Sequence, residues 1–198
     1  MDNNVFEELA KRYDTEERMA LAKVIVREVK TELQNSITKS LIDYGSGTGL
    51  VSLELSGLVE SILLVDSSKQ MLEVAEAKIT ARGISNAKVL YSDFTQETPE
   101  LKADIVLLSL VLLHIPDTNK ILQELYNILN DGGKLIIVDF DKNETIHHPT
   151  VHNGFKHEEL KQKLTQVGFT FSEVHTFYRG ERIFMKQDAS MFRSTSIK

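Results

Sequence analysis

From Leu41 onward the sequence predicts an α/β fold: a doubly wound, mostly parallel sheet with a C-terminal antiparallel strand pair and N-terminal lid helices. Three observations carry this expectation. Short apolar runs, "SLIDY", "SILLVD", "AKVLYSD", "ADIVLLSL" and "KLIIVDF", recur along the chain, and their continuous apolarity suits strands covered on both faces. Helical patterns lie between them, and such alternation implies parallel crossovers. Polar residues stand just after successive runs, where open sheets of this kind bind ligands.

The elements follow in order. Residues 3–34 carry two helical patterns broken near Tyr13-Asp14, the second of them, "TEERMALAKVIVREVKTEL", strongly amphipathic. "SSKQMLEVAEAKITARG" places Met71, Leu72, Ala75 and Ile79 on one face, with a serine cap at its start and Gly83 as its stop. "TNKILQELYNILNDGG" repeats this grammar, with Ile121, Leu122, Leu125, Ile128 and Leu129 inward and Gly132 past its end. A histidine-rich loop precedes a further helix, "KHEELKQKLTQVG". Two alternating segments, "FTFSEVHTFYR" and "ERIFMKQ", then read as an antiparallel pair turning at Gly180-Glu181. The 198 residues divide into one domain with a helical lid over 1–38, a core over 39–187 and a loose tail over 188–198.

Composition narrows the function. A formal charge of −6 with acids and bases intermixed offers no block to hold a polyanion, which disfavours nucleic acid and anionic membranes. The absence of cysteine excludes disulfides, thiolate zinc sites and a cysteine nucleophile, and fits a reducing cytoplasm. The polar start "MDNNVFEELAKRYD" lacks the apolar core of a secretory signal, and no apolar run approaches the ~20 residues of a membrane span. A cytoplasmic protein is expected, with monomer and homodimer both open.

The densest signal is "LIDYGSGTGL", an acid followed by glycines at 45, 47 and 49. Glycine admits positive φ and close approach of another group to the backbone. Asp43 ends the first strand, Asp66 the second, Asp93 follows the third and Ser109 ends the fourth. Asp66 stands 21 residues after Gly45, a spacing that suits a carboxylate bonding ribose hydroxyls in either a nicotinamide cofactor or S-adenosylmethionine. Charge favours the second. A pyrophosphate is repelled by Asp43, whereas the ammonium of a methionine moiety is attracted. Asp93 suits the exocyclic amine of adenine and the Phe94 N–H a ring nitrogen.

Together "LIDYGSGTGL", "LLVDSSKQMLEVAEAK", "SDF", "ADIVLLSLVLLHIPD" and "LNDGGKLIIVDF" resemble, in that order, the motifs of class I S-adenosylmethionine-dependent methyltransferases, the small single-domain type acting on small molecules. The resemblance implies a Rossmann-like fold. It also implies that Asp43 and the backbone at Gly45, Ser46 and Gly47 hold the methionine end, that Asp66 binds the ribose and that Met71 lies against the adenosine, with Gly49 and Ser67 as further cofactor-binding positions. Asp93 and Phe94 then frame adenine, and Ser109 lies near the sulfonium. The first helices of such enzymes close over the cofactor, with "YD" at Tyr13-Asp14 as their mark. Nothing matches the Asn-Pro-Pro-aromatic signature of amino-group methyltransferases acting on nucleic acid or protein amides, so the expected partner is a small-molecule methyl acceptor.

Candidates for chemistry are His114, His152 and Tyr13. His114 follows the fourth strand and reads as a loop hydrogen bond or a general base; Tyr13 reads as a lid aromatic or a helix-end anchor. Arg18 is expected to be solvated. Four histidines fall in "HHPTVHNGFKH", but Pro149 divides them and no carboxylate recurs at ligand spacing, so no metal is expected. A non-catalytic cofactor-binding module and a nicotinamide-dependent oxidoreductase are the competing functions. Removal of residues 1–34 is expected to spare the sheet.

Overall fold

A computed structural model describes residues 10–198. The first helical pattern, from residue 3, lies largely outside them, and they begin with a short 3-10 turn at Ala10–Arg12. The strands are β1 (Ser40–Tyr44), β2 (Ser61–Asp66), β3 (Ala87–Tyr91), β4 (Ala103–Ser109), β5 (Leu129–Phe140), β6 (Phe171–Phe184) and β7 (Gln187–Ile197). They form one sheet in the order β3-β2-β1-β4-β5-β7-β6. All pairings are parallel except those of β7, which runs antiparallel to both β5 and β6.

The helices are α1 (Glu16–Glu32), α2 (Lys69–Arg82), α3 (Thr118–Ile128) and α4 (His157–Val167). Buried side chains alternate between two clusters along each central strand. Leu41, Ile105, Leu107, Ile136, Val138 and Met191 join Ile25 and Val29 of α1 and Ala75 of α2. Ile42, Val106, Leu108, Leu135, Ile137 and Phe192 join Leu122 and Leu125 of α3 and Leu160 and Leu164 of α4. Since successive strand residues point to opposite faces, the sheet is covered on both, which accounts for the unbroken apolar runs.

Local chemistry sets the helix ends. The Ser68 hydroxyl accepts the Met71 N–H at the start of α2, and Gly83 ends it in the left-handed conformation, φ 62°. The Ile84 N–H then reaches the Ile79 carbonyl, a capping pattern open to glycine at little steric cost. α3 differs from expectation: it ends at Ile128, and Leu129 is extended and opens β5. The Lys198 ammonium binds the carbonyls of Tyr126 and Leu129, so a side chain from β7's end supplies the stop that Gly132 was expected to supply.

The expected tail, 188–198, is instead strand β7, wedged between β5 and β6. Its polar residues Arg193, Ser194, Thr195 and Ser196 are all buried. The Arg193 guanidinium bonds Glu28 Oε1 at 2.9 Å, the Thr195 hydroxyl at 2.9 Å and Glu32 of α1, which is why a polar segment can sit inside the sheet. The hairpin turns at Met185-Lys186, φ 49° and 62°, the two-residue geometry that matches strand twist. Gly180 is paired with Ala189 within the ladder, so "ERIFMKQ" is the end of β6 and the turn rather than a strand of its own.

Candidate active site

The site lies at the carboxyl ends of the strands, where the order reverses between β1 and β4. A cavity of about 360 Å³ opens there, walled by the glycine loop, the ends of β2 and β3, and the segment after β4. A smaller cavity of about 90 Å³ adjoins it beneath α1. Tyr13, Gly45, Gly47, Ser109 and Leu110 border both.

The glycine loop is held by its own amides. Gly45 and Ser46 N–H groups both donate to the Val65 carbonyl, which folds the chain back over β2. A Cβ on Gly45 (φ 73°) would stand 2.5 Å from Val111 Cγ2, so only glycine lets the loop pass the segment after β4. The Gly47 N–H donates to Asp66 Oδ2 at 2.8 Å, and the Ser68 N–H donates to Oδ1 at 2.8 Å. Asp66 thus ties the loop to the start of α2 while bordering the large cavity, beside Ser67 and Met71. Both carboxylate oxygens therefore accept backbone amides at the cavity wall.

Asp93 lies farther along the same cavity. Its Oδ1 accepts the N–H and hydroxyl of Thr95 at 3.0 and 2.6 Å. Two expected ligand residues border neither cavity. Phe94 is buried and packs on Tyr44, ring centroids 4.6 Å apart. Gly49 is a packing residue, since a Cβ there would come within 2.9 Å of Leu53 and Leu64.

Opposite charges face the small cavity. Asp43 is 2% exposed, and burial raises its carboxyl to about 7, with the Ser52 hydroxyl opposing the shift and the Asp66 charge adding to it. Arg18 also borders this cavity. It is half-buried, donates to the Tyr13 carbonyl at 3.0 Å and lies over the Tyr13 ring, 4.1 Å from its centroid, which corrects the expectation of a solvated side chain. Tyr13 itself reaches over Gly47 because Asp14 accepts the Thr48 hydroxyl and pairs with Lys78. Burial first, and the charges of Asp66 and Asp14 after it, hold the Tyr13 phenol protonated against the pull of Arg18. The Ser46 hydroxyl is buried with no hydrogen-bond partner among the described residues.

A family model described as a methyltransferase domain matches residues 36–186. The chain belongs to the methyltransferase domain family. Among curated proteins it is 28% identical over 152 residues to the ubiquinone/menaquinone biosynthesis C-methyltransferase UbiE of Rickettsia typhi, a match covering 71% of this chain and 60% of that protein's length. Among solved structures, an S-adenosylmethionine-dependent methyltransferase from Aquifex aeolicus covers all of the chain, with 98% of its own length, at TM-score 0.71 and 20% identity. The phosphoethanolamine N-methyltransferase 2 of Haemonchus contortus, solved with S-adenosyl-L-methionine, has TM-score 0.72 and 14% identity over 98% of this chain and 60% of its own. The fold is the Rossmann-like one of these methyltransferase structures.

Within this methyltransferase domain the histidines part company. His114 closes a 3-10 turn, Leu112–His114, and borders the large cavity. Burial, then the charge of His148, lowers its imidazole to about 4. His152 borders neither cavity; it lines an open groove with the rest of its loop, and its ring bonds the Ile115 carbonyl at 2.9 Å. His157 is taken by Asp141 at 2.7 Å. Among the described residues no three His, Asp or Glu side chains converge as a metal site, and no helix there is long and apolar enough to cross a membrane.

Two residues of the domain escaped the sequence reading. Tyr44 borders the large cavity, and burial and the Asp93 charge keep its hydroxyl protonated far above the usual range. Its signal was an aromatic beside Asp43 on a strand, where alternation turns it to the other face. Asp139 is fully buried at the end of β5 and accepts the N–H groups of Phe140 and Leu113 at 2.8 and 3.1 Å. Its signal was a charge inside "KLIIVDF".

Proposed function

We propose that this chain transfers the methyl group of S-adenosylmethionine to a small-molecule acceptor. The observation that carries the reading is Arg18 and Asp43 bordering one small cavity beside a larger one of nucleoside size. A cation and an anion set this way complement a zwitterionic amino-acid end, and the partnerless Ser46 hydroxyl adds a hydrogen bond. Asp66 serves the ribose and Asp93 the adenine, with Met71 beneath. A pyrophosphate would meet Asp43 instead, which disfavours a nicotinamide cofactor.

When bound, the sulfonium supplies an activated methyl group. The chain's own part is alignment, worth roughly 7–11 kcal/mol of a barrier when reacting groups are held in line, and exclusion of water by Tyr13 and α1. His114, neutral at pH 7, accepts a proton from an acceptor that must lose one. The relative's printed role in ubiquinone and menaquinone biosynthesis makes quinol-type compounds the first acceptors to try.

Calorimetry should show S-adenosylhomocysteine binding and no comparable binding of NAD or NADP; tight NADP binding without a response to S-adenosylhomocysteine would overturn the cofactor assignment. A screen for S-adenosylhomocysteine release across acceptors then separates an enzyme from a binding module, since the latter releases none. Asp66→Ala should weaken S-adenosylhomocysteine by roughly 2–4 kcal/mol, because bonds to a charged group are lost, and should loosen the glycine loop as well. Wild-type affinity in the purified variant would remove Asp66 from the ribose. His114→Gln should cut turnover with cofactor affinity kept, by less than the roughly 10²–10⁴ of a base matched to neutral pH, because burial makes the ring a weak base; an unchanged rate would leave alignment as the sole contribution.

A further inference from the structure

The segment that presents His114 is gripped through every polar group of one residue. Leu113 gives its N–H to the buried Asp139 carboxylate at 3.1 Å and receives the His152 N–H on its carbonyl at 2.8 Å. The Leu112 N–H also faces Asp139, and the His152 ring bonds the carbonyl of Ile115, one residue past the turn. One side chain therefore binds the amides of the turn and the other residue binds its carbonyls.

Both grips originate at the end of β5. Asp139 is the penultimate residue of that strand, and the two positions after it hold the His152 loop. The Phe155 N–H donates to Phe140 and the Lys142 N–H to the Phe155 carbonyl, forming a parallel bridge between Asp141 and Phe155. Gly154 makes this approach possible, since a Cβ there would fall 2.2 Å from the Asp141 carbonyl oxygen. The His152 ring is further set against Phe155, centroids 5.5 Å apart.

We propose that Asp139 and His152 are positioning residues that fix the His114 ring in the cavity by clamping the Leu112–Ile115 segment from the end of β5. His152 acts through the turn and does not touch the acceptor. This rests on the reading that the cavity bordered by His114 is the active site. A buried carboxylate used as an acceptor for loop amides is costly to desolvate, and its N–H partners are the means by which that cost is offset in a rigid turn.

The test is the ring spectrum of His114 in the full chain, carbon-13 labelled at histidine and assigned with His114→Gln. His152→Leu removes the ring donor to Ile115 and should shift the His114 ring resonances, whereas His152→Gln, whose amide can still donate, should return them toward the parent positions. Asp139→Asn, which places an amide against two N–H groups, should shift them in the same way while S-adenosylhomocysteine affinity stays within about twofold, because neither residue touches the cofactor cavities. If Asp139→Asn does not fold, the pair of His152 variants decides alone. Parent-like His114 resonances in His152→Leu, or an equal shift in His152→Gln, overturn the proposal. The readout is independent of turnover, so loss of the base role of His114 would leave this result standing.

Discussion

Replacing Glu28 and Glu32 together by glutamine is expected to lower the unfolding free energy by about 3–5 kcal/mol, the range for stripping the partners from a buried charge. Arg193 is 6% exposed and both of its ion pairs go to α1. Lys134, whose ammonium is destabilised by burial, also leans on Glu32, and the His175 ring on Glu28. The comparison is urea unfolding of the variant and the parent, and a loss below about 1 kcal/mol would show the pairs to be no better than surface ones. The helix is therefore more than a lid. Deleting residues 1–34 removes both glutamates together with the fully buried Ile25 and Val29, so such a truncation should fail to fold, contrary to what the sequence suggested.

The second large effect is a dependence on pH. Asp43 and Asp139 are both raised by burial to about 7, against roughly 3.9 in an unfolded chain. Between these values the unfolded chain gives up protons that the folded one keeps, so stability is fully present below about pH 4 and is lost as pH rises through 7. Each group contributes at most roughly 4 kcal/mol, from about three pKa units. Asp43→Asn should abolish its share and leave that of Asp139. Cofactor binding runs the other way: an ammonium against Asp43 favours the carboxylate, so affinity should fall by up to about tenfold per unit below pH 7. Calorimetry with S-adenosylhomocysteine from pH 5.5 to 8.5 measures this, and a flat profile would remove Asp43 from the ligand.

Elements whose signals are local were legible. Ser68 and Gly83 bound α2 because a hydroxyl and a left-handed residue act within four positions of the helix end. Asp43, Asp66 and Asp93 all border a cavity because strand ends meet on one side of a parallel sheet. What failed depends on partners remote in sequence. Ser194 and Ser196 read as tail residues until Glu28, 165 positions before Arg193, and Glu32 neutralise the arginine that precedes them. Arg18 read as solvated because its cavity is made by loops from β1 and β4. His152 stood among the candidates for chemistry because nothing in "VHNGF" announces that its ring will meet the carbonyl of Ile115.

The order of the strands also has a meaning in time. β6 is synthesised before β7 yet pairs with no other strand, and the free edge of β5 waits for the same 11 residues. At translation rates of roughly 5–20 residues per second the delay is on the order of a second. Until β7 docks, both β5 and β6 lack their ladder partner, and unpaired strand edges are the surfaces most open to association with other chains. A form of the protein with β7 detached should accordingly keep the first five strands paired and present an adhesive flank, so exposure to aggregation is set by the docking of β7.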